Sequence, residues 1–379
     1  MRYESIIKAG IFGTVVADAL GVPVEFSERE ERVADPVVDM REYGTHNQPR
    51  GTWSDDSSMI LATLDSMVIN GGSGFDDNAK DSKVLGGAIR FDDIMERFRG
   101  WLTRGEYTPY GRVFDRGITC SNAISSYRAG CDPLDCGRRG AHDNGNGSLM
   151  RIMPVSLYVG LNNTCRGVGR GAGLDATFPG AECYVRPDEN FWNADILSDA
   201  VQLSHNISRL THAHPRSQMA CAIYTAICHE LIFRDKRSVN DAVQSAIGRI
   251  MDFYDQADDS LPWFDPEFEK EIKTDAYGRL RDVDKFAALP VSEIRSSGYV
   301  VDTLEAAIYC LITTDSYKAC TLKAVNLGSD TDTVGAVAGG LAGLAYGYDD
   351  IPKEWLEVIA SREWIDELCV KFARVLEEL

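Results

Sequence analysis

The chain is short of the residues that build most metal and nucleic-acid sites. Its 379 residues include six histidines and ten cysteines. No CxxC pair and no Cys…His zinc spacing occurs among them, which disfavours zinc. Several cysteines, Cys221, Cys228 and Cys310 among them, sit in apolar helical-looking stretches. They read as core thiols of a reducing cytosol, so a cytoplasmic protein is expected. Bases are scarce as well: 39 Lys and Arg face 58 Asp and Glu, a net charge of −19. Such a field repels polyanions, which disfavours nucleic acid and anionic membranes as partners. A small anionic ligand still fits if local groups hold it. No uninterrupted apolar run approaches the roughly 18 residues of a membrane span. The N-terminus imitates a signal peptide, but Glu4 and Asp18 break the pattern, and a first buried helix is expected there. A Walker lysine motif is absent. Strand-like alternation is rare, and its best example, 33–40, contains Pro36. With no regular β–α alternation, a parallel α/β sheet is disfavoured.

What is present is helical periodicity. Apolar residues make up 44% of the chain, enough for a sizeable core without disulfides. Ile6, Ile7, Ile11, Val15 and Leu20 suit a helix over about 5–20. The same spacing predicts helices over 57–69, 91–103, 119–129, 148–160, 195–207, 216–233, 238–254, 299–313, 316–327, 332–346 and 361–378. Polar, Gly-rich stretches at about 70–87, 162–193 and 255–297 read as loop insertions on one helical domain covering 1–379.

Two acidic clusters stand out. Gly51-Thr52-Trp53-Ser54-Asp55-Asp56-Ser57-Ser58 is the first, and Gly328-Ser329-Asp330-Thr331-Asp332-Thr333 the second. Each sets carboxylates beside hydroxyls just ahead of an apolar helix. N-capping accounts for one such residue per helix. It does not account for Asp55-Asp56 or for Asp330-x-Asp332. Adjacent carboxylates raise each other's pKa unless a cation neutralises them. Carboxylates with Ser and Thr oxygens form a hard set suited to Mg²⁺, Mn²⁺ or Ca²⁺. Three look-alikes compete. A calcium EF-loop starting at Asp330 fails at Val334 and Leu341. The Asp330-x-Asp332-x-Val order also matches a DxDx[TV] phosphatase, which needs a buried strand ahead of it. Gly167-x-Gly169-x-x-Ala172 lacks the strand of a dinucleotide fingerprint.

Further segments are patterned. Gly13-x4-Asp18-x2-Gly21-x-Pro23-x-Glu25 closes the first helix with a carboxylate, and Glu106-Tyr107-Thr108-Pro109-Tyr110-Gly111-x3-Asp115-x-Gly117 precedes another helix. Asn144-Gly145-Asn146-Gly147-Ser148 is a glycine turn entering a helix, a natural phosphate cradle, although an Asn-Gly turn is common. Thr211-His212 follows, while His205 and His214 read as structural.

Taken together, these motifs, in this order from about Ile6 to Gly347, resemble the ADP-ribosylglycohydrolase family. The resemblance implies an all-α fold with two Mg²⁺ or Mn²⁺ ions in a central cleft. It assigns Ser54, Asp55 and Asp56 to one ligand group, with Ser54 standing where the family usually has Thr. Asp330, Asp332 and Thr333 match the other group. Glu25 matches a glutamate near the scissile bond. Asn146, Gly147, Ser148 and His212 match the part that holds ADP-ribose, and Asp115 an aspartate that contacts the bound ribose. The expected reaction is hydrolysis between ADP-ribose and an acceptor, through an oxocarbenium-like transition state. A carboxylate among Asp55, Asp56 and Glu25 would be the general base. The expected partner is an ADP-ribosylated protein, arginine-linked by preference, or a small ADP-ribose derivative. Serine linkage is the alternative. The family also holds a lens crystallin, so a non-catalytic member is a further alternative.

Overall fold

The structure is a computed structural model that describes residues 3–71, 88–166 and 194–378. The first half of the fold comprises α1 Glu4–Gly21, α2 Arg29–Ala34, α3 Asp55–Gly71, α4 Phe91–Arg104, α5 Ile118–Arg128, α6 Met153–Arg166, α7 Ala194–Arg209 and α8 Pro215–Ile232. The second comprises α9 Val239–Asp255, α10 Pro266–Thr274, α11 Val283–Ala287, α12 Val300–Ile312, α13 Tyr317–Val325, α14 Thr331–Tyr346, α15 Lys353–Leu356 and α16 Arg362–Glu378. Among the described residues no β-strand forms, only isolated bridges such as Gly145 with Tyr299. The fold is all-α and a single helical domain.

Every helix expected from apolar spacing is found, with one shifted start. The helix expected from 148 begins at Met153, and 147–151 is turn. The strand expected over 33–40 does not form. Its first residues end α2, Pro36 has no N–H to extend a ladder, and Val33 and Val38 are exposed. The stretch 255–297, expected as polar loop, carries α10 and α11. It buries Trp263, Phe268, Tyr277, Leu280, Val283 and Phe286. Trp263 meets His205 edge-on with ring centroids 4.8 Å apart, and His205 Nε2 hydrogen-bonds Tyr254 Oη at 2.8 Å. The other two expected insertions lie mostly outside the described residues.

At the centre, α1 and α14 pack antiparallel along a seam of glycines. A Cβ on Gly13 would lie 2.5 Å from the Gly339 carbonyl oxygen, and one on Gly339 would lie 2.3 Å from that of Gly13. Only glycine permits this approach. The seam continues to Gly21, where a Cβ would meet the Thr331 oxygen at 2.4 Å. The C-terminus of α1 is thereby held against the N-terminus of α14. The stretch Glu4–Val24 is apolar and long enough to cross a membrane, but 83% of that window is buried inside the protein. The apolar face is thus satisfied within the protein, as the sequence reading expected of a first buried helix.

Candidate active site

Three helix ends and one loop bring the acids together. Asp18, in the last turn of α1, accepts from Ser54 N at 3.0 Å and from Ser57 N at 3.1 Å. Its second oxygen also accepts from the Ser57 hydroxyl at 2.5 Å. A carboxylate from one helix thus caps the N-terminus of another, satisfying amides that α3 leaves orphaned. This frees Asp55 and Asp56 from capping. Asp55 Oδ2 accepts from Gly117 N at 3.3 Å, which draws in the Asp115 loop. Asp56 Oδ2 accepts from Ser54 Oγ at 3.2 Å and from Thr333 Oγ1 at 3.3 Å. The second contact joins the two acidic clusters directly.

Asp330 occupies the N-cap of α14, yet its side chain makes no cap hydrogen bond. It accepts instead from Asn146 Nδ2 at 2.9 Å. The turn ahead of it is left-handed at both Gly328 (φ 78°) and Ser329 (φ 64°). That turn pairs with the end of the first helical segment: Phe26 N donates to Ser329 O at 2.7 Å, and Ser329 N to Ser27 O at 2.7 Å. Glu25 is carried in with it. Ligand atoms of Glu25, Asp330 and Asp332 all lie within 4.8 Å of one another, as do those of Glu25, His46 and Asp115.

His46 is a residue that the sequence reading did not single out. It hydrogen-bonds the Glu25 carboxylate and lies against Phe114, ring centroids 5.3 Å apart. A lone histidine in a loop carries no motif. Only the turn 43–48, which presses Gly44 onto the Pro23 carbonyl, places it. Asp18 belonged to a patterned segment but had no role until its capping contacts were seen.

Burial dominates the electrostatics. It pushes the Asp55, Asp56 and Asp332 carboxyls well above the ordinary range, and repulsion from neighbouring carboxylates adds to it. Asp330 is raised as well, against the pull of Asn146. Asp18 is pushed up to about 6 by burial. Glu25 rises to about 7, again chiefly by burial, with the His46 contact opposing. Asp56 Oδ1 is buried and without a hydrogen-bond partner among the described residues. Such crowding is costly for carboxylates alone. The oxygen-rich donor set and the orphaned Asp56 atom fit a divalent cation.

The glycine turn meets the acids through Asn146. Asn146 N donates to Gly298 O at 3.0 Å, so this amide is not bare as expected. The Asn146 side chain spans Asp330 and Thr303. The Ser148 hydroxyl is fully buried and accepts from Ser208 at 2.9 Å. Its side chain faces the core, and only its backbone faces the turn. Gly147 abuts His212 and Cys120: a Cβ there would lie 2.8 Å from each. A cavity of about 520 Å³ opens beside Tyr299, but its Arg216 and Arg279 are already paired with Glu271 and Glu305.

The phosphatase alternative fails here, because Asp330 and Asp332 open a helix instead of ending a strand. The family model described as ADP-ribosylglycohydrolase matches residues 1–378. The chain belongs to the ADP-ribosylglycohydrolase family. It is 28% identical to an ADP-ribosylarginine hydrolase of Serratia proteamaculans, over 96% of this chain and 78% of that protein. It is 27% identical to the ADP-ribosyl-[dinitrogen reductase] glycohydrolase of Rhodospirillum rubrum, over 91% and 86%. A solved ADP-ribosylglycohydrolase-related protein complex shares the fold at TM-score 0.66 and 24% identity, covering 99% of each chain. By family the chain is an ADP-ribosylhydrolase, and its acidic groups could hold a metal ion.

Proposed function

We propose that this hydrolase releases ADP-ribose from arginine on protein, with two Mg²⁺ or Mn²⁺ ions held by Ser54, Asp55, Asp56, Asp330, Asp332 and Thr333. The observation that carries the metal assignment is the Asp56–Thr333 contact, which makes one oxygen-rich wall of two distant motifs. When bound, the ions neutralise that wall and polarise a water and the ribose hydroxyls. Glu25, pushed up to about 7, is poised to take a proton near neutral pH. Asp115, beside Glu25 and His46, contacts the ribose. The backbone of Gly147 and Ser148, with His212, receives the diphosphate.

Arginine linkage is supported by the likeness to the Serratia proteamaculans ADP-ribosylarginine hydrolase and by charge. A cationic acceptor is drawn to a chain carrying −19, whereas a serine acceptor brings no charge. The test is kcat/KM on matched arginine-linked and serine-linked ADP-ribosyl peptides, with and without EDTA, at two salt concentrations. We expect the arginine linkage to be preferred, the preference to shrink as salt rises, and EDTA to abolish turnover. Equal or faster cleavage of the serine linkage overturns the assignment.

A further inference from the structure

Behind the glycine turn lies a buried cation with no carboxylate paired to it among the described residues. Arg151 is fully buried, and its Nε and Nη1 have no hydrogen-bond partner. Its guanidinium sits 4.9 Å from the Phe98 ring centroid. Nη2 donates to Ile207 O at 2.9 Å and to Thr211 Oγ1 at 2.8 Å. Thr211 Oγ1 in turn lies 2.9 Å from His212 Nδ1.

The proton bookkeeping of this chain has one good solution. A guanidinium only donates, so Thr211 Oγ1 accepts from Arg151. The hydroxyl keeps one hydrogen to give. If His212 Nδ1 carried a proton, it too would donate to Thr211. The threonine hydrogen would then be left with the Cys120 sulfur, a weak acceptor. If Nδ1 is bare, it accepts the threonine hydrogen, and the Thr211–His212 contact has one donor and one strong acceptor. We propose that Arg151 and Thr211 are positioning residues that lock His212 as its neutral Nε2–H tautomer, presenting that N–H to a ligand oxygen at the Gly145–Gly147 turn. The imidazole edge faces the turn: a Cβ on Gly147 would lie 3.3 Å from Nε2 and one on Gly145 3.6 Å away. The two glycines set no side chain against this edge, although His212 as a whole is buried. Burial first, and the Arg151 charge second, push the imidazole down to about 3, so it does not become doubly protonated at working pH. The ligand-facing half of this proposal rests on the turn receiving ADP-ribose.

The test separates the two halves. The full-length protein, ¹⁵N-labelled at histidine, is examined by long-range ¹H–¹⁵N NMR, the His212 signals being assigned by their loss in His212→Gln. Wild type is expected to show a bare Nδ1 and a protonated Nε2. Thr211→Val removes the lock, and the Nδ1–H form should become populated; Thr211→Ser should restore the wild-type pattern. A wild-type Nδ1–H tautomer, or an unchanged tautomer in Thr211→Val, overturns the lock. Calorimetry with ADP-ribose is the second readout. Thr211→Val should bind about tenfold more weakly and Thr211→Ser as wild type. A tautomer change with no affinity change overturns the ligand-facing half and, with it, the cradle reading.

Discussion

Two sides of the candidate site solve opposite electrostatic problems. On one wall Asp55, Asp56, Asp330 and Asp332 are crowded and buried, and all are pushed towards protonation. On the other, Arg151 is buried without a carboxylate among the described residues, and His212 is kept neutral. Each wall alone is unfavourable, because buried charge requires compensation. Together they describe a ligand with a cation-liking end and an anionic end. On the proposed function, a ribose beside a diphosphate, with metal ions held among the acids, would have that polarity. The wall that looks weakest as a folded structure is thus the better guide to chemistry.

The sharpest way to break the comparison is to remove one acid. Asp330→Ala should lower turnover by more than about 100-fold, since even residues that only support a ligand cost 10–100-fold. Folding should survive. The Asp330 side chain caps nothing, and the loss of the Asn146 hydrogen bond, about 1 kcal/mol, is offset by relieved repulsion. ADP-ribose release and melting in EDTA check both halves. Undiminished, EDTA-resistant turnover would remove the metal wall from the account.

On the opposite wall the corresponding change is Gly147→Val. Its side chain must displace Cys120 Sγ and His212 Cε1, each 2.8 Å from the new Cβ. ADP-ribose affinity should fall about tenfold or more, about 1.4 kcal/mol per decade, by calorimetry. Retained affinity would detach the turn from the ligand.

How much of this was legible follows from the physics of each signal. The long helices were readable because a 3.6-residue apolar repeat extends over three or more turns. Helices α2, α11 and α15 are too short to show one, and α10 hides among the acids and prolines of 255–297. The apolar residues of 33–40 mimicked a strand, but burial of Val37 and Met40 arises from packing of an irregular segment. The acid clusters were legible because repelling carboxylates in sequence need an explanation. Asp18 and His46 acquire their roles through contacts made across the fold, to Ser54 and Ser57 and to Glu25, and no local spacing encodes them. The missed bond of Asn146 N to Gly298 has the same origin.

The acid wall also predicts how metal-free protein responds to pH. Asp18 at about 6 and Glu25 at about 7 lie above their unfolded values. At these two groups the folded state binds more protons than the unfolded chain, so their contribution to stability falls as pH rises through this window, whereas His205, His212 and His229, pushed down to about 3 by burial, contribute with the opposite sign. In EDTA the difference profile, the wild-type melting temperature minus that of Glu25→Gln, should drop by a few degrees between about pH 5 and pH 7.5, where each kcal/mol is worth about 2–4 °C or less in a protein of this size. Added Mn²⁺ or Mg²⁺ should flatten the slope, because ligation replaces protonation as the means of neutralising the wall. A flat profile in EDTA would show that these carboxyls are not strained.

The smallest effect is expected at Ser54, and it tests what the acid wall needs from that position. Its Oγ donates to Asp56 Oδ2 at 3.2 Å and accepts from Asp56 N at 3.3 Å. Both contacts belong to the oxygen, so a threonine hydroxyl can make them. The extra methyl enters a site where Ser54 is 2% exposed, and overpacking there costs about 1–3 kcal/mol if nothing yields. The family resemblance implies Thr at this position, so a methyl is expected to suit this kind of wall. Ser54→Thr should therefore keep kcat/KM within about twofold, under 0.5 kcal/mol. Ser54→Ala preserves the volume but deletes the oxygen, and it should cost about tenfold, near 1.4 kcal/mol. Measuring both under saturating Mn²⁺ gives the order. If Ala is tolerated and Thr is not, shape governs this position, and Ser54 leaves the ligand set.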